Sequence, residues 1–336
     1  MNLDFLKEVL SLPSISGDES MVRDYIIEFA KTNGIEYYTD KKGNLYLTKG
    51  MLDSTDEYFP CVVSHMDTVH RTHRNLIENK VRLTIKEDNL GVLTAHHPET
   101  DKQTGIGGDD KCGVYVCLEL FNNFDKLKGA FFVEEEIGML GSKESDDRFF
   151  ENVGYAIQFD APSSNWITEV CSGVKLFDED FKTEIKGVLN ESGYHKFSID
   201  PFTDVNQLAK KYDFNCLNLG CGYYRQHSDL EFVVISEVED SLVAGVNLIS
   251  KLSSKKYIHK KVEVKPILNE SYSNGHYSNV DYDKFGDFDD DVFKDEFDEM
   301  GAEVSEMVIT MFIGGIGEKD IYEEVSKYLR DYYTNY

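Results

Sequence analysis

The stretch GDDKCGVYVCLELFNNFDKLKGAFFVEEEIG, residues 108–138, carries the reading of the fold. From Gly113 to Phe124 its apolar residues predict a helix. A continuous apolar run from Gly129 to Val133 predicts a short buried strand. Three carboxylates, Glu134, Glu135 and Glu136, follow at once. Helices set between strands predict a mainly parallel or mixed sheet covered on both faces, an α/β three-layer sandwich. In such sheets the chemistry gathers at the carboxyl ends of the strands.

The alternation extends outward on both sides. Upstream, Leu3 to Leu12 bears a helical stripe (Leu3, Leu6, Val9, Leu10) that stops at Pro13. Ser16-Gly17-Asp18 offers a cap for a second helix to about Thr32, ended by Asn33-Gly34. Ile35–Tyr38 and Asn44–Thr48 read as strands around the turn Asp40–Gly43. Cys61–Val63 is a third strand, and Val81–Thr84 with Gly91–Thr94 suggests a hairpin. Downstream, a short helix spans about Leu140–Ser145, followed by strands at Tyr155–Phe159 and Trp166–Val170. Helices near Phe177–Leu189 and Asp204–Tyr212 precede a strand at Cys216–Leu219 and a helix at Val238–Leu252.

Near residue 255 the composition changes. Lys251–Lys265 is basic, and Asp281–Glu299 holds ten acidic residues against two lysines, before a predicted final helix at Lys319–Tyr332. The expected division is a catalytic domain at 1–255 and an acidic extension at 256–336. Asp281-x-Asp283 resembles the start of a calcium loop, but Phe285 and Val292 stand where calcium needs oxygen ligands. It reads as a solvated acidic segment.

Composition narrows the class further. With 41% hydrophobic and 29% charged residues, the 336-residue chain can bury a substantial core. No run approaches the roughly 20 apolar residues of a membrane helix, and Met1-Asn2-Leu3-Asp4 lacks the basic start of a signal peptide. A cytoplasmic protein is expected. The net charge of -27 argues against nucleic acid and against anionic membranes as partners. Six cysteines without a Cys-x-x-Cys pair read as small buried hydrophobes.

Five places stand at or just beyond predicted strand ends or in polar bends: His65 with Asp67, Asp109 with Asp110, Glu134–Glu136, Asp160 and His227. Singly, each has a bland account; acidic clusters, for example, favour helix starts. As a set they match a particular chemistry. Two zinc ions about 3.5–4 Å apart need imidazole and carboxylate ligands, one carboxylate bridging both. Two histidines and three carboxylates supply that number. A further carboxylate must stay free to take a proton from water. Another should orient a ligating imidazole, and Asp67, two residues from His65, is placed to do so.

These residues resemble the zinc-dependent exopeptidases that include peptidase T, carboxypeptidase G and the bacterial leucyl aminopeptidases. The resemblance spans roughly residues 3–250. It rests on Leu6–Glu19, Asp40-Lys-Lys-Gly-Asn-Leu45, Ser64-His-Met-Asp-Thr68, Gly108-Asp-Asp-Lys-Cys-Gly113 and Glu134-Glu-Glu-Ile-Gly138, in that family's order. It implies His65 and Asp160 on a first metal, Glu136 and His227 on a second, and Asp109 bridging them. It implies Glu135 as general base and Asp67 as the group orienting His65. Asp110 and Glu134 compete for the bridge and base roles. The implied cofactors are two Zn2+ per chain, with Mn2+ or Co2+ as substitutes. The substrate would be a small peptide or amide, cleaved from the amino end; a non-peptide amidohydrolase, a deacylase or a carboxypeptidase could use the same residues. An interaction module with a relic metal site is the alternative outside enzymes. Monomer and homo-oligomer both stay open.

The chain departs from that family in its spacings. His227 follows Asp160 by only 67 positions, already filled by predicted strands and helices, so the lid or dimerisation domain found there in peptidase T is missing. Asp67 and Asp109 are 42 positions apart, room for a hairpin and loops only. Other readings are weaker. Gly105-Ile-Gly107-Gly108 suggests a phosphate loop, but no Gly-Lys-Ser/Thr follows and Asp109-Asp110 would repel phosphate. His70 and His73, with Arg71 and Arg74 beside them, read as substrate contacts or exposed residues. Asp110, Glu134 and Asp229 are expected to make the rim acidic, suited to a protonated amino terminus, with Arg71, Arg74 and Arg225 as possible carboxylate grips. No Gly-x-Ser-x-Gly elbow supports serine catalysis.

Overall fold

The buried run Cys61–Val63 is the centre of a longer strand, Phe59–His65, every residue of which is buried. That strand lies in the middle of the computed structural model, which describes residues 1–200 and 202–261. In chain order the elements are α1 (Leu3–Leu10), α2 (Ser20–Thr32), β1 (Glu36–Thr39), β2 (Leu45–Lys49) and β3 (Phe59–His65). A 3-10 turn and α3 (Arg74–Glu78) lead to β4 (Thr84–Glu87), β5 (Val92–His96) and β6 (Gln103–Thr104). Then come α4 (Gly108–Asn123), β7 (Leu127–Phe132), α5 (Leu140–Lys143), α6 (Asp147–Phe150), β8 (Val153–Ala161), β9 (Trp166–Cys171) and β10 (Val174–Lys175). The last are α7 (Glu179–Glu191), β11 (Lys196–Asp200), α8 (Asp204–Lys211), β12 (Asn215–Gly220), β13 (Tyr223–Tyr224), β14 (Phe232–Val234) and α9 (Ile235–Leu252).

The main sheet has nine strands in the order β1-β2-β7-β3-β8-β12-β9-β10, with β11 paired to β9. Its middle four, β7, β3, β8 and β12, are parallel. The flanks are mixed: β1, β2 and β10 pair antiparallel, and so does β9 with β12. Strands buried on both faces have no polar side to alternate with, so they read as unbroken apolar runs. Successive residues of β8 show the two covers. Phe159 meets Leu120 of α4 and Gly245 of α9 on one face. The amide oxygen of Gln158 accepts from Thr203 Oγ1 (2.8 Å) and Val205 N (3.0 Å) at the start of α8. Neighbouring side chains of a strand point to opposite faces, so α8 covers the face opposite α4 and α9. The expected three-layer α/β architecture is the one observed.

Differences from the sequence reading have local causes. The first strand of the hairpin begins at Thr84, not Val81, because Val81 N is spent closing α3 on Leu76 O (2.8 Å). Ser16 does not cap α2, whose N-terminal flank is Glu19. The Ser16 hydroxyl donates instead to Asp67 (2.7 Å). The hairpin is part of a separate five-stranded sheet, β13-β14-β5-β4 with β6 on β5. Between Asp160 and β13 every strand joins the main sheet, so no separate lid stands there among the described residues.

Residues 256–261 lie against the main body. Tyr257 N donates to Gly154 O (3.0 Å), His259 N to Asp213 O (2.8 Å) and Lys260 N to the Asp178 carboxylate (2.9 Å). The acidic segment Asp281–Glu299 and the helix predicted at Lys319–Tyr332 lie outside the described residues. All six cysteines are free and buried. No helix among the described residues is long and apolar enough to cross a membrane.

Candidate metal centre

The four parallel strands lie side by side and end together. His65 is the last residue of β3, Glu134–Glu136 follow β7, and Asp160 is the penultimate residue of β8. After β12, Gly220-Cys221-Gly222 bends into β13, and the turn between β13 and β14 carries His227. Asp109 lies in the non-helical first turn of α4, just after the glycine-rich loop. His227 and Arg225 in that turn both have left-handed backbones (φ 65° and 53°), a conformation that costs a non-glycine residue about 1 kcal/mol or more.

The side chains converge around Asp109. Its Oδ1 lies 3.1 Å from His65 Nε2, and its Oδ2 lies 3.3 Å from His227 Nε2. Asp160 Oδ1 is 3.5 Å from the same His65 nitrogen. Glu136 Oε2 is 3.0 Å from the same His227 nitrogen. Each imidazole therefore faces one private carboxylate and one oxygen of a shared carboxylate. Among the described residues no lysine or arginine pairs with Asp109, Glu136 or Asp160. Glu136 Oε1 is buried with no hydrogen-bond partner. Three such half-buried carboxylates side by side call for positive charge. The His227 imidazole is pushed up to about 10 by Asp109 and Glu136. His65 also lies well above the imidazole range, the fields of Asp160 and Asp109 overcoming its burial. The donor set fits two divalent cations, with Asp109 between them.

Support comes from a layer behind these groups. His65 Nδ1 donates to the main-chain carbonyl of Asp67 (3.0 Å), with the Asp67 carboxylate at 3.5 Å. A carbonyl can only accept, so Nδ1 carries a proton and Nε2 faces the carboxylates. The Asp67 carboxylate accepts from Ser16 Oγ (2.7 Å), Glu135 N (2.9 Å) and Glu136 N (3.2 Å). Burial raises its pKa, but those donors and His65 hold it below the usual range. Asp67 thus fixes the β7 loop as well as His65.

The neighbouring carboxylates have other partners, although Asp110 also brings an oxygen within 4.8 Å of ligand atoms of His65 and Asp160. Asp110 turns away from His227: its carboxylate accepts from Ser64 Oγ (2.6 Å), His65 N (3.2 Å) and Gly113 N (3.1 Å). Glu134 pairs with Lys42. Glu135 is buried, and among the described residues no hydrogen bond ties its carboxylate down. Burial pushes that carboxyl well above the carboxylate range, with Asp160, Asp204 and Glu136 adding to it and His65 opposing.

Two expectations are corrected. His70 and His73 are buried, not exposed: His70 Nε2 meets Glu231 Oε2 (2.8 Å) and His73 Nε2 meets Thr104 Oγ1 (3.1 Å). Arg71, Thr72 and Arg74, between and after them, face solvent. The acidic rim also shrinks, because Asp110 is buried and Glu134 is neutralised, leaving Asp229 exposed. Sequence reasoning missed Asp204, a buried carboxylate at the start of α8, its pKa raised to about 7 by burial against the opposing pull of His65, Ser142 and Gln158. It also missed Glu231. Nothing local marks either, since each matters only through what the fold lays against it.

No family model matches the chain, and no curated protein is significantly similar to it in sequence. Solved structures are similar in fold. An aminopeptidase PepT from Bacillus cereus aligns with TM-score 0.60 at 15% identity, over 74% of this chain and 97% of that one. An aminopeptidase from the archaeon Desulfurococcus kamchatkensis aligns with TM-score 0.58 at 15% identity, over 78% and 98%. A tripeptidase from Staphylococcus aureus aligns with TM-score 0.56 at 14% identity, over 74% and 96%. The chain has the fold of these peptidases. Fold is all that identities this low carry; activity has to be argued from the site.

Proposed function

We propose that this protein is a metal-dependent peptide hydrolase of the aminopeptidase kind, built around two zinc ions. One observation carries the reading: the two oxygens of Asp109 face different imidazoles, each imidazole backed by its own carboxylate. His65 and Asp160 would hold one ion, His227 and Glu136 the other, and Asp109 both. Bound there, divalent ions supply an acidified water and a polarised carbonyl.

The chain's own residues do the rest. Glu135, held by its main-chain N–H to Asp67 but free at its carboxylate, accepts the proton of the attacking water and returns it to the leaving amine. Asp67 sets the His65 ring and the Glu135–Glu136 backbone together, so base and ligands share one brace. The structures similar in fold include aminopeptidases, which supports cleavage from the amino end. One observation favours carboxylate recognition instead. Arg225, exposed and two residues from His227, lines a hollow with Gln103, Thr94 and Leu230.

Two measurements test the proposal. Elemental analysis of the purified chain should find two zinc ions per molecule; clearly less than one would support the relic site. A panel of matched peptides, acetylated or free at the amino end and amidated or free at the carboxyl end, should lose cleavage on acetylation. If amidation abolishes it while acetylation does not, a carboxypeptidase or acyl-amino-acid hydrolase replaces the aminopeptidase.

A further inference from the structure

The glycine-rich loop Gly105-Ile-Gly107-Gly108 is built like a phosphate cradle, yet an anion of the protein's own fills it. Glu231 Oε2 accepts from Gly107 N (2.7 Å) and Oε1 from Asp109 N (3.2 Å), while His70 Nε2 meets Oε2 at 2.8 Å. Glu231 is fully buried. A buried carboxylate is stable only when its oxygens are met by donors, and here backbone N–H groups provide two of them, as in anion-binding nests. The glycines have matching causes. A Cβ on Gly105 would lie 1.9–2.2 Å from ring atoms of His70. A Cβ on Gly108 would lie 2.7 Å from Tyr223 Cβ and 2.8 Å from Val233 Cγ2, on the two strands that bracket the His227 turn.

Glu231 lies four residues after His227 at the end of that turn. The turn is stiffened internally: Glu231 N donates to Ser228 O (3.2 Å), Leu230 N to Ser228 Oγ (3.2 Å), and Ser228 Oγ to Arg225 O (2.8 Å). The His227 side chain is itself 52% exposed and, among the charged groups of the described residues, pairs with Asp109 and Glu136. Its place therefore depends on where the turn is anchored. We propose that Glu231 is a positioning residue, a clasp whose carboxylate binds the Asp109 loop to the His227 turn and so assembles the half of the centre formed by His227, Glu136 and Asp109. This rests on the metal-centre reading above. The half formed by His65 and Asp160 hangs on β3 and β8 and depends on the clasp only through Asp109.

That asymmetry makes the test. The metal-free wild type and Glu231→Gln are titrated with cobalt(II), followed by its visible absorption, with circular dichroism confirming the fold. The wild type should take two equivalents. In Glu231→Gln an amide NH2 replaces one accepting oxygen and confronts donors. The first equivalent should bind within a few-fold of wild type and the second about 30-fold more weakly, in the range of outer-shell substitutions. Equal binding of both equivalents, or equal weakening of both as general loosening would give, overturns the clasp. If Glu231→Gln does not fold, Glu231→Asp, which keeps the charge and retracts it by one methylene, faces the same criterion with a smaller split. A wild type that binds fewer than two equivalents overturns the metal-centre reading and the clasp with it.

Discussion

Glu134 and Glu135 are identical in type and adjacent in sequence, yet the fold gives them different surroundings. The left-handed backbone at Glu134 (φ 54°) sends its carboxylate to Lys42, and the carboxylate of its buried neighbour has no hydrogen bond among the described residues. Glu135→Gln should keep the fold and both metals while lowering turnover about a thousandfold, within the span of general-base effects. Glu134→Gln should stay within a few-fold of wild type. Near-normal turnover in the first variant, with loss in the second, would place the base one residue earlier. A second residue makes a prediction about pH. Burial depresses the His73 imidazole to about 2, with Lys111, His70 and His97 adding to the effect. An unfolded histidine titrates near 6.5. Between those values the unfolded chain binds a proton that the native chain refuses, so stability falls as pH falls, by about 1.4 kcal/mol per unit for one such group. Urea unfolding of the metal-free chain at pH 7 and pH 4.5 should therefore show a drop about 2–3 kcal/mol smaller in His73→Asn than in wild type. Equal drops would show that His73 titrates normally.

Helices and central strands were legible because their periods are strong. The stripe of α1 and the apolar runs of β3, β7, β8 and β12 need no partner to be seen. The small sheet was only half legible: β13 and β14 have two and three residues, and their identity as strands comes from pairing with each other and with β5. The loop between β6 and α4 shows the same dependence. Its glycines match a phosphate motif in sequence, and only the contacts of His70, Glu231 and Tyr223 reveal what they accommodate. Gly105→Ala should accordingly destabilise the protein by about 1–3 kcal/mol, the usual cost of overpacking. A urea midpoint unchanged from wild type would mean that the His70 ring moves aside freely.

Across the molecule, the order of strands in the sheet is what brings the site together. His65, Glu135, Glu136 and Asp160 come from three adjacent parallel strands whose carboxyl ends share one edge of the sheet, where α/β folds place their ligands. Composition puts a boundary at 255, yet residues 256–261 contribute backbone hydrogen bonds to Gly154, Asp213 and Asp178. A chain ending at Lys261 should therefore fold cooperatively and bind two metals, and one ending at Ser254 should be less stable. Insoluble or metal-free protein from the longer truncation would show that residues beyond 261 complete the domain.

The periodicity of the chain carried the α/β class, and the order of its polar residues along the sequence named side chains that the fold brings together. Those are local properties: a helical stripe, a buried apolar run and a carboxylate placed just after it are written in consecutive residues. Which aspartate of the pair faces both histidines, which glutamate stays free, and that His70 and His73 are buried supports instead of exposed residues are not local. They depend on backbone turns at Glu134 and His227 and on segments over a hundred residues apart coming into contact, as Gly107 and Glu231 do. Hydrogen bonds act over about 3 Å, so a side chain's role follows from what packing lays beside it, and that is settled only when the two sheets and the helices between them close.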